Sequence, residues 1–352
     1  MDRGKTMRND AQLARLAGRQ RGSIAIYVAL FMFVMMGFIA LSVDIGRALV
    51  VRNELQNAAD AAALAGAGQL KWTNTPTTWA NATSKANASI ALNYADGQAL
   101  STGTVTTGYW SITGSPAGMQ STTITPNSNE LPAIQVTVSR AAGSNGGSLQ
   151  TYFAGLIGTK TIDVSATAVA AIALPGVAKP GSLFPTAITQ CMLGIYWNSS
   201  TNQPTIDPST GQPYEIKIGS SYHSGSCYYG QWTTFDTVAN DTPTVINLIT
   251  NGNPTTLSIG SNTWIDTGTK NSIYNSVPTP LQVLLPVVAD VSTGSNQPIV
   301  AFAPFQIDKS VNGSNPYLQG HFIVNYLPTN VGPGGGGTPS YYGAYVPPVL
   351  VN

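Results

Sequence analysis

One run dominates the pattern of apolar and polar positions along the chain. Between Arg21 and Asp44 stands GSIAIYVALFMFVMMGFIALSV, 22 residues without a charge. As a helix rising about 1.5 Å per residue it spans roughly 33 Å and crosses a bilayer. A cleaved signal peptide has a shorter apolar core and a small-x-small cleavage site, whereas here helix-forming sequence follows directly. The pattern predicts a transmembrane helix over residues 22–43, in contact with the lipid bilayer, and no second apolar run of comparable length follows.

Past the span, polar positions return with helical spacing. From Asp44 to about Leu70 there is no proline, and Ala, Leu, Glu, Gln and Arg dominate up to Ala65, so the helix is expected to continue out of the membrane. At 100° per residue Leu55, Ala58, Ala59, Ala62 and Gly66 share one narrow face, while Asn53, Asn57 and Asp60 lie opposite; Leu64 falls on the polar side and breaks the stripe. Small residues on one face let another helix approach closely. Two readings of this face stay open, an interface with a partner helix and packing against the chain's own outer domain. Asp44, at the membrane edge, reads as a group among lipid headgroups, with an ion pair to an arginine of a partner span as the alternative.

The body beyond the helix divides by its periodicities. TTWANATSKANASIALNYADG (77–97) reads as a second helix. STGTVTTGYWSIT and AIQVTVSRAA alternate as strands, LQTYFAGLIG reads as helical, and KTIDVSATAVAAIAL suits a strand. This mixture packs as α+β. The Gly/Pro cluster at 175–182 reads as a linker. From Leu183 onward come short apolar runs broken by turn signals: YEIKIGS, PTVINLIT, NPTTLSIG, NTWIDTG, LQVLLPVVADV, QPIVAFAPFQI and GHFIVNYL. They predict a mainly β domain over 183–330, sandwich or barrel-like. The Gly/Pro/Tyr-rich end, 331–352, is expected to be a mobile tail or a short docking strand. The expected organisation is thus a basic segment (1–21), a span (22–43), a helical and α+β region (44–174), the linker, the β domain and the tail.

Charge fixes orientation and removes function classes. Arg3, Lys5, Arg8, Arg15, Arg19 and Arg21 precede the span against Asp2 and Asp10, whereas Arg47 and Arg52 beyond it are balanced by Asp44 and Glu54. The positive-inside rule puts the N-terminus in the cytoplasm and the body outside. Only 9% of the 352 residues are charged and the net charge is +1, so nucleic acid is not an expected partner. Cys191 and Cys227 both fall in the exported half, where a disulfide closing a loop of about 36 residues contributes roughly 3–4 kcal/mol.

Catalytic and ligand-binding alternatives are weaker. His223 stands four residues before Cys227, but a thiol nucleophile needs an orienting group and a site as well. Cys191, His223, Cys227 and His321 have none of the paired spacings of structural zinc motifs, and no metal or cofactor is expected. G-x-S-x-G, H-E-x-x-H and P-loop motifs do not occur. Trp110, Trp197, Trp232 and Trp264 suit either a glycan-binding surface or a β core, the commoner place for tryptophan.

The segment RQRGSIAIYVALFMFVMMGFIALSVDIGRALVVRNELQNAADAAALAGA (19–67) resembles the N-terminal part of TadE/TadG-like proteins of bacterial Flp (Tad) pilus assembly, the TadG branch in particular. The resemblance rests on RGSIA before the span, VDIGR at its outer edge and LQNAADAAALAGA after it; LQTYFAGLIGTKTIDVSATAVAAI (149–172) is similar to the segment that closes the N-terminal region in many of them. It implies a non-catalytic component of a pilus-assembly or secretion apparatus, anchored in the inner membrane with a periplasmic body. Its partners would be other Tad/Flp proteins, with self-association possible. An anchored adhesin or glycan-binding module is the second reading and an envelope hydrolase the third. LLPVVADVSTGSNQ (284–297) also resembles the metal-ion motif of von Willebrand A domains. Gly294 stands where that motif has its second serine, and only 62 residues follow Asp290, so a strand ending in a turn is expected.

Pilin-like members of the resembled group are processed after a glycine, with glutamate at the fifth residue beyond the cut. Gly22 matches that glycine, but the fifth residue after it is Tyr27. The N-terminus is therefore expected to stay uncleaved. The mass of the protein isolated from membranes tests this, and a chain beginning at Ser23 would show that Tyr27 does not prevent processing.

Overall fold

The computed structural model describes residues 6–127, 129–268, 270–334 and 340–351, with side chains from Ile24 onward except that of Ile157. Arg3 and Lys5 of the basic segment, and residues 335–339 of the tail, lie outside the described residues. The first helix, α1 (Thr6–Ala67), is continuous through the apolar run and beyond it. Among the described residues it is the one helix long and apolar enough to cross a membrane. Side chains from Ile24 to Val43 are nearly all exposed, and burial begins at Asp44 and resumes at Val51. The change falls where the apolar string ends.

The chain forms two compact units. The first comprises residues 1–59, 90–104 and 137–167. Its part of α1 is accompanied by two small hairpins, Tyr94–Ala95 with Gln98–Ala99 and Leu149–Gln150 with Thr161–Ile162. Both differ from the sequence expectation. The second helix, α2 (Pro76–Ile90), stops seven residues before Gly97, because Asp96 and Gly97 adopt φ of 53° and 71° and make a two-residue hairpin turn that a helix cannot contain. LQTYFAGLIG contributes only a single 3-10 turn, Ala154–Ile157, closed by Gly158 at φ 104°. A longer helix is excluded because Leu149–Gln150 pairs as a strand with Thr161–Ile162, and Asp44 caps the short turn by accepting from the amides of Tyr152, Phe153 and Ala154.

The second unit comprises residues 60–89, 105–136 and 168–352. Gly66 lies where α1 meets α2 and the strand Glu130–Arg140. A Cβ there would come within 2.6 Å of Ile134 Cδ1 and 3.0 Å of Ala86 Cβ and the Ala82 carbonyl oxygen, so any side chain would force these elements apart. A five-stranded sheet runs in the order 346–351, 164–173, 130–140, 104–111, 119–120, and an eight-stranded sheet in the order 216–218, 317–322, 301–311, 281–288, 186–189, 230–235, 262–266, 296–298. Neighbours in the larger sheet are antiparallel except Thr186–Thr189 beside Leu281–Val288.

The central strands of the larger sheet, Leu281–Val288 and the first half of Ala301–Val311, are buried on both faces, which explains why their strings are the least polar. Along LQVLLPVV and AFAPFQI the odd positions, Val283, Leu285, Val287, Ala303, Phe305 and Ile307, belong to one core cluster. The even positions Leu284 and Phe302 belong to another. Side chains alternate across a strand, so two cores remove the polar positions that a half-exposed strand would show. The architecture is α+β with a mainly β second half, as the patterning predicts. Within that half PTVINLIT is helical rather than extended. It forms α4 (Thr242–Asn251), which follows the short α3 (Gln190–Tyr196). Asp241 accepts from the Thr244 amide as N-cap, Pro243 occupies the first turn, and Val245 and Leu248 face inward three residues apart. These starting signals outweigh the β-branched content.

The segment expected to be a linker contributes a strand, and the tail supplies the short docking strand that was one of its two expected states. Val177–Ala178 is the central strand of a three-stranded sheet with Leu257–Ser258 and Val331–Gly332. In the tail Val346–Val351 pairs antiparallel with the strand ending at Ala173. Cys191 on α3 is bonded to Cys227, with Cα atoms 5.8 Å apart and a sequence separation of 36. From that loop length, replacing both cysteines by serine should lower the stability of the second unit by roughly 3–4 kcal/mol. The measurement is the midpoint of urea unfolding in the wild type and in C191S/C227S, and equal midpoints would mean the loop is already constrained without the bond.

Candidate functional site

The densest polar constellation in the first unit is built around Asp44, the first carboxylate beyond the apolar run. Its side chain is 4% exposed. Oδ1 accepts from the Tyr152 amide at 2.8 Å, and Oδ2 from the Phe153 and Ala154 amides at 2.9 and 2.6 Å. Three consecutive amides turned toward one carboxylate make a concave anion cradle. Here the anion belongs to the same chain, 108 residues earlier in sequence. Asp44 thus finds its partners within its own chain, and it fastens the 149–162 hairpin to α1.

One helical turn further on, Arg47 makes a two-pronged contact with Asp96, Nη2 to Oδ2 at 2.7 Å and Nε to Oδ1 at 3.1 Å. Its Nη1 donates to the Gln150 carbonyl at 2.8 Å, and its guanidinium lies 4.8 Å from the centre of the Tyr152 ring. Arg47 therefore ties both hairpins to the helix, and the planar fork suits a bidentate carboxylate contact better than an ammonium would. Two turns later Glu54 accepts from the Asp96 amide at 2.7 Å. From the other side Arg140, nearly buried, donates to the Ala95 and Gly147 carbonyls at 2.9 and 3.0 Å and lies 3.7 Å from Asp96.

Asn145, held at φ 48°, completes the joint. It accepts from the Ser101 and Thr102 amides and donates to the Thr102 and Ser139 carbonyls. Every one of these groups fixes geometry. The arrangement is a polar joint between the long apolar helix and the two hairpins beside it.

The other residues singled out in sequence fall as follows. Leu55, Ala58, Ala59 and Ala62 are fully buried within the chain, and Gly66 is closed off by Ile134, Ala82 and Ala86. Cys191 and Cys227 are joined to each other, and the His223 ring lies 5.0 Å from that of Tyr228 with Nδ1 3.0 Å from the Gly225 carbonyl oxygen. Trp197 and Trp232 are buried, and Trp110 and Trp264 are half-buried. Asp290 follows the strand Leu281–Val288 and accepts from the Ser292 hydroxyl and amide. These hold its carboxyl below the ordinary range, in a strand-terminal turn.

A grouping missed in sequence joins Glu215, Asp308 and His321, whose ligand atoms all lie within 4.8 Å of one another. His321 Nδ1 is 3.0 Å from Asp308 and 3.4 Å from Glu215. A bulge between Ile307 and Lys309 turns Asp308 toward it. Among the described residues these three are the set able to hold a cation, and their wide separation in sequence hid them.

The segments that build the joint are the ones that place the protein. Residues 22–69 match the family described as Flp pilus-assembly TadE/G-like, and residues 65–170 match the family described as Tad-like Flp pilus-assembly. Residues 22–170 thus carry the two segments of the Tad and TadE/G-like Flp pilus-assembly families. Asp44, Arg47 and Glu54 fall in the first Tad segment, and Asp96, Arg140, Asn145 and the 149–162 hairpin fall in the second. The joint therefore links the two Tad segments, and residues 171–352 lie beyond both. No curated protein and no solved structure matches the chain.

Removing the central carboxylate should loosen the hairpin and leave the rest of the fold intact. In Asp44→Ala the amides of Tyr152, Phe153 and Ala154 lose their acceptor, and their hydrogen exchange should speed up by on the order of tenfold or more. Asp44→Asn, which keeps one acceptor oxygen, should give a smaller rise. Exchange measured by mass spectrometry on detergent-solubilised protein checks both, and unchanged exchange in Asp44→Ala would show that the hairpin holds without the carboxylate.

Proposed function

We propose that the protein is a non-catalytic subunit of a bacterial Flp/Tad-type pilus-assembly or secretion apparatus, of the TadG branch. It is held by one helix in the inner membrane, with its N-terminus cytoplasmic and its body periplasmic. The observation that carries this reading is the joint itself. A helix that only tethered a domain would need no bracing where it leaves the bilayer, whereas α1 is fixed there by Asp44, Arg47 and Glu54. Fixing the hairpins against the helix just beyond the span suits a part that must present that segment to neighbours in a set orientation. Its partners are other Tad components, with self-association as a further contact, and neither a cofactor nor nucleic acid enters the reading.

The side of α1 that meets neighbours is taken to be the one left open. Leu55, Ala58 and Ala59 are covered, while Val50, Asn53 and Asn57 are exposed together on the opposite flank. An anchored adhesin or glycan-binding module remains the second reading. A wide cleft in the β body presents Gln203, Gln212, Gln282, Asn325 and Tyr326, the amide-rich lining that hydrogen-bonds sugar hydroxyls. Trp197 and Trp232 are too buried to serve as stacking platforms there.

Photo-crosslinking in cells from a probe at Asn57, with captured neighbours identified by mass spectrometry, separates the two. The expected result is capture of Tad pilus-assembly proteins, together with loss of pili when the gene is deleted. Intact pili after deletion, with retention of the purified protein on a glycan column, would replace the assembly reading with the second one.

A further inference from the structure

The hairpin that Asp44 holds carries apolar side chains with nothing of the chain to cover them. From Thr151 to Thr159 it reads TYFAGLIGT, without a charge. Tyr152 is 64%, Phe153 42% and Leu156 85% exposed. An almost wholly apolar groove runs between this tip and the span, lined by Phe33, Met36, Gly37, Ala40 and Leu41 on α1 and by Phe153, Ala154 and Leu156 on the hairpin. Phe33 to Leu41 covers about 12 Å along the helix axis. The tip therefore lies alongside the outer half of the apolar string and not above its end.

Water-soluble loops do not end in this way, and their backbone amides are usually open to solvent. Here seven of the nine amides from Thr151 to Thr159 are closed internally. Those of Tyr152, Phe153 and Ala154 go to Asp44. Those of Thr151, Leu156, Gly158 and Thr159 go to the carbonyls of Lys160, Phe153, Gly155 and Ala154, and the Thr151 hydroxyl donates to the Thr159 carbonyl. Internal satisfaction of backbone polar groups is what a non-helical segment needs at membrane depth. The flanks have interfacial chemistry as well. The Tyr152 ring stacks under the Arg47 guanidinium, and the exposed Lys160 follows the tip, an aromatic and basic fringe of the kind that sits at headgroup level.

We propose that the Phe153–Leu156 tip is a second, monotopic membrane anchor, inserted into the bilayer leaflet on the body's side and clamped to the span by Asp44. Its occupant is the lipid acyl layer, because the groove is continuous with the surface that α1 already presents to lipid. The inference rests on the membrane-anchored reading above. Two contacts with one bilayer, a span and a wedge, remove the free rotation that a single helix would leave to the body.

The test uses the full chain in vesicles of phosphatidylcholine and phosphatidylglycerol, with an environment-sensitive dye on single introduced cysteines; Cys191 and Cys227 are bonded to each other and do not react. Leu156→Cys reports the tip, Met36→Cys the span and the exposed Ser199→Cys the aqueous body. Nitroxide carried in the upper acyl chain should quench the tip label at least about twofold more than the Ser199 label, and iodide should quench it several-fold less. A tip label that answers to iodide and not to the lipid nitroxide, while the Met36 label answers to the lipid, would overturn the second anchor and leave the span in place. If the Met36 label also answered only to iodide, the anchored reading and the wedge would fall together.

Discussion

The structure of the first unit depends on where a single carboxylate is placed. Asp44 follows the last apolar residue of a span, a position at which water is scarce and an unpaired charge is costly. Its two oxygens are matched by three amides of one hairpin turn, so the charge is neutralised by dipoles of the chain itself and needs no counter-ion. The match has two consequences. The helix can carry a charge at the membrane edge without exposing it, and the hairpin acquires a fixed position beside the span. Arg47, three residues on, uses the same turn of helix to hold Asp96 and the Gln150 carbonyl, which makes the joint a two-hairpin clamp.

This joint is a use of charge in a chain that has little of it. Partly buried ion pairs add modestly to stability, since desolvation offsets much of their attraction, and their best-attested role is to select one arrangement among several of similar packing energy. The surface of α1 beyond the span is rich in alanine, which packs closely but discriminates poorly between registers. A one-turn slip would still bury alanine against alanine, whereas it would separate Asp44 from its amides and Arg47 from Asp96. Specificity of register is thus assigned to the polar groups and close approach to the small ones, as the Gly66 contact with Ile134 illustrates.

What was legible in the sequence follows from the range of each signal. The span, the continuation of α1 and the strands LQVLLPVV and AFAPFQI are written in local length and periodicity, and they stand where the pattern puts them. PTVINLIT is helical where its β-branched content predicts a strand, because the Asp241 cap and Pro243, which are also local, point the other way. The helix expected at LQTYFAGLIG failed for a different reason. Leu149 and Gln150 pair with Thr161 and Ile162, Gly158 at φ 104° closes the turn, and the amides between them meet Asp44, more than a hundred positions earlier; a backbone donor leaves no trace in residue identity. The same holds for Asn145 and for the grouping of Glu215, Asp308 and His321, whose members meet only through strand register. Asp44 itself was visible as an oddity at the membrane edge, but its partners were not side chains, and a search among side chains could not find them.

The division between the matched and unmatched parts of the chain has a physical counterpart. The two family segments end at residue 170 and contain the whole joint, while the eight-stranded sheet, the disulfide and the amide-lined cleft all lie beyond them. Every group of the joint lies inside the two matched segments, and its hydrogen bonds close between α1 and the hairpins. The central strands Leu281–Val288 and Ala301–Val311 are packed by two cores that include none of the joint's groups. A change at Asp44 therefore acts on the hairpin turn it holds, while the strands of the second unit keep the contacts that bury them.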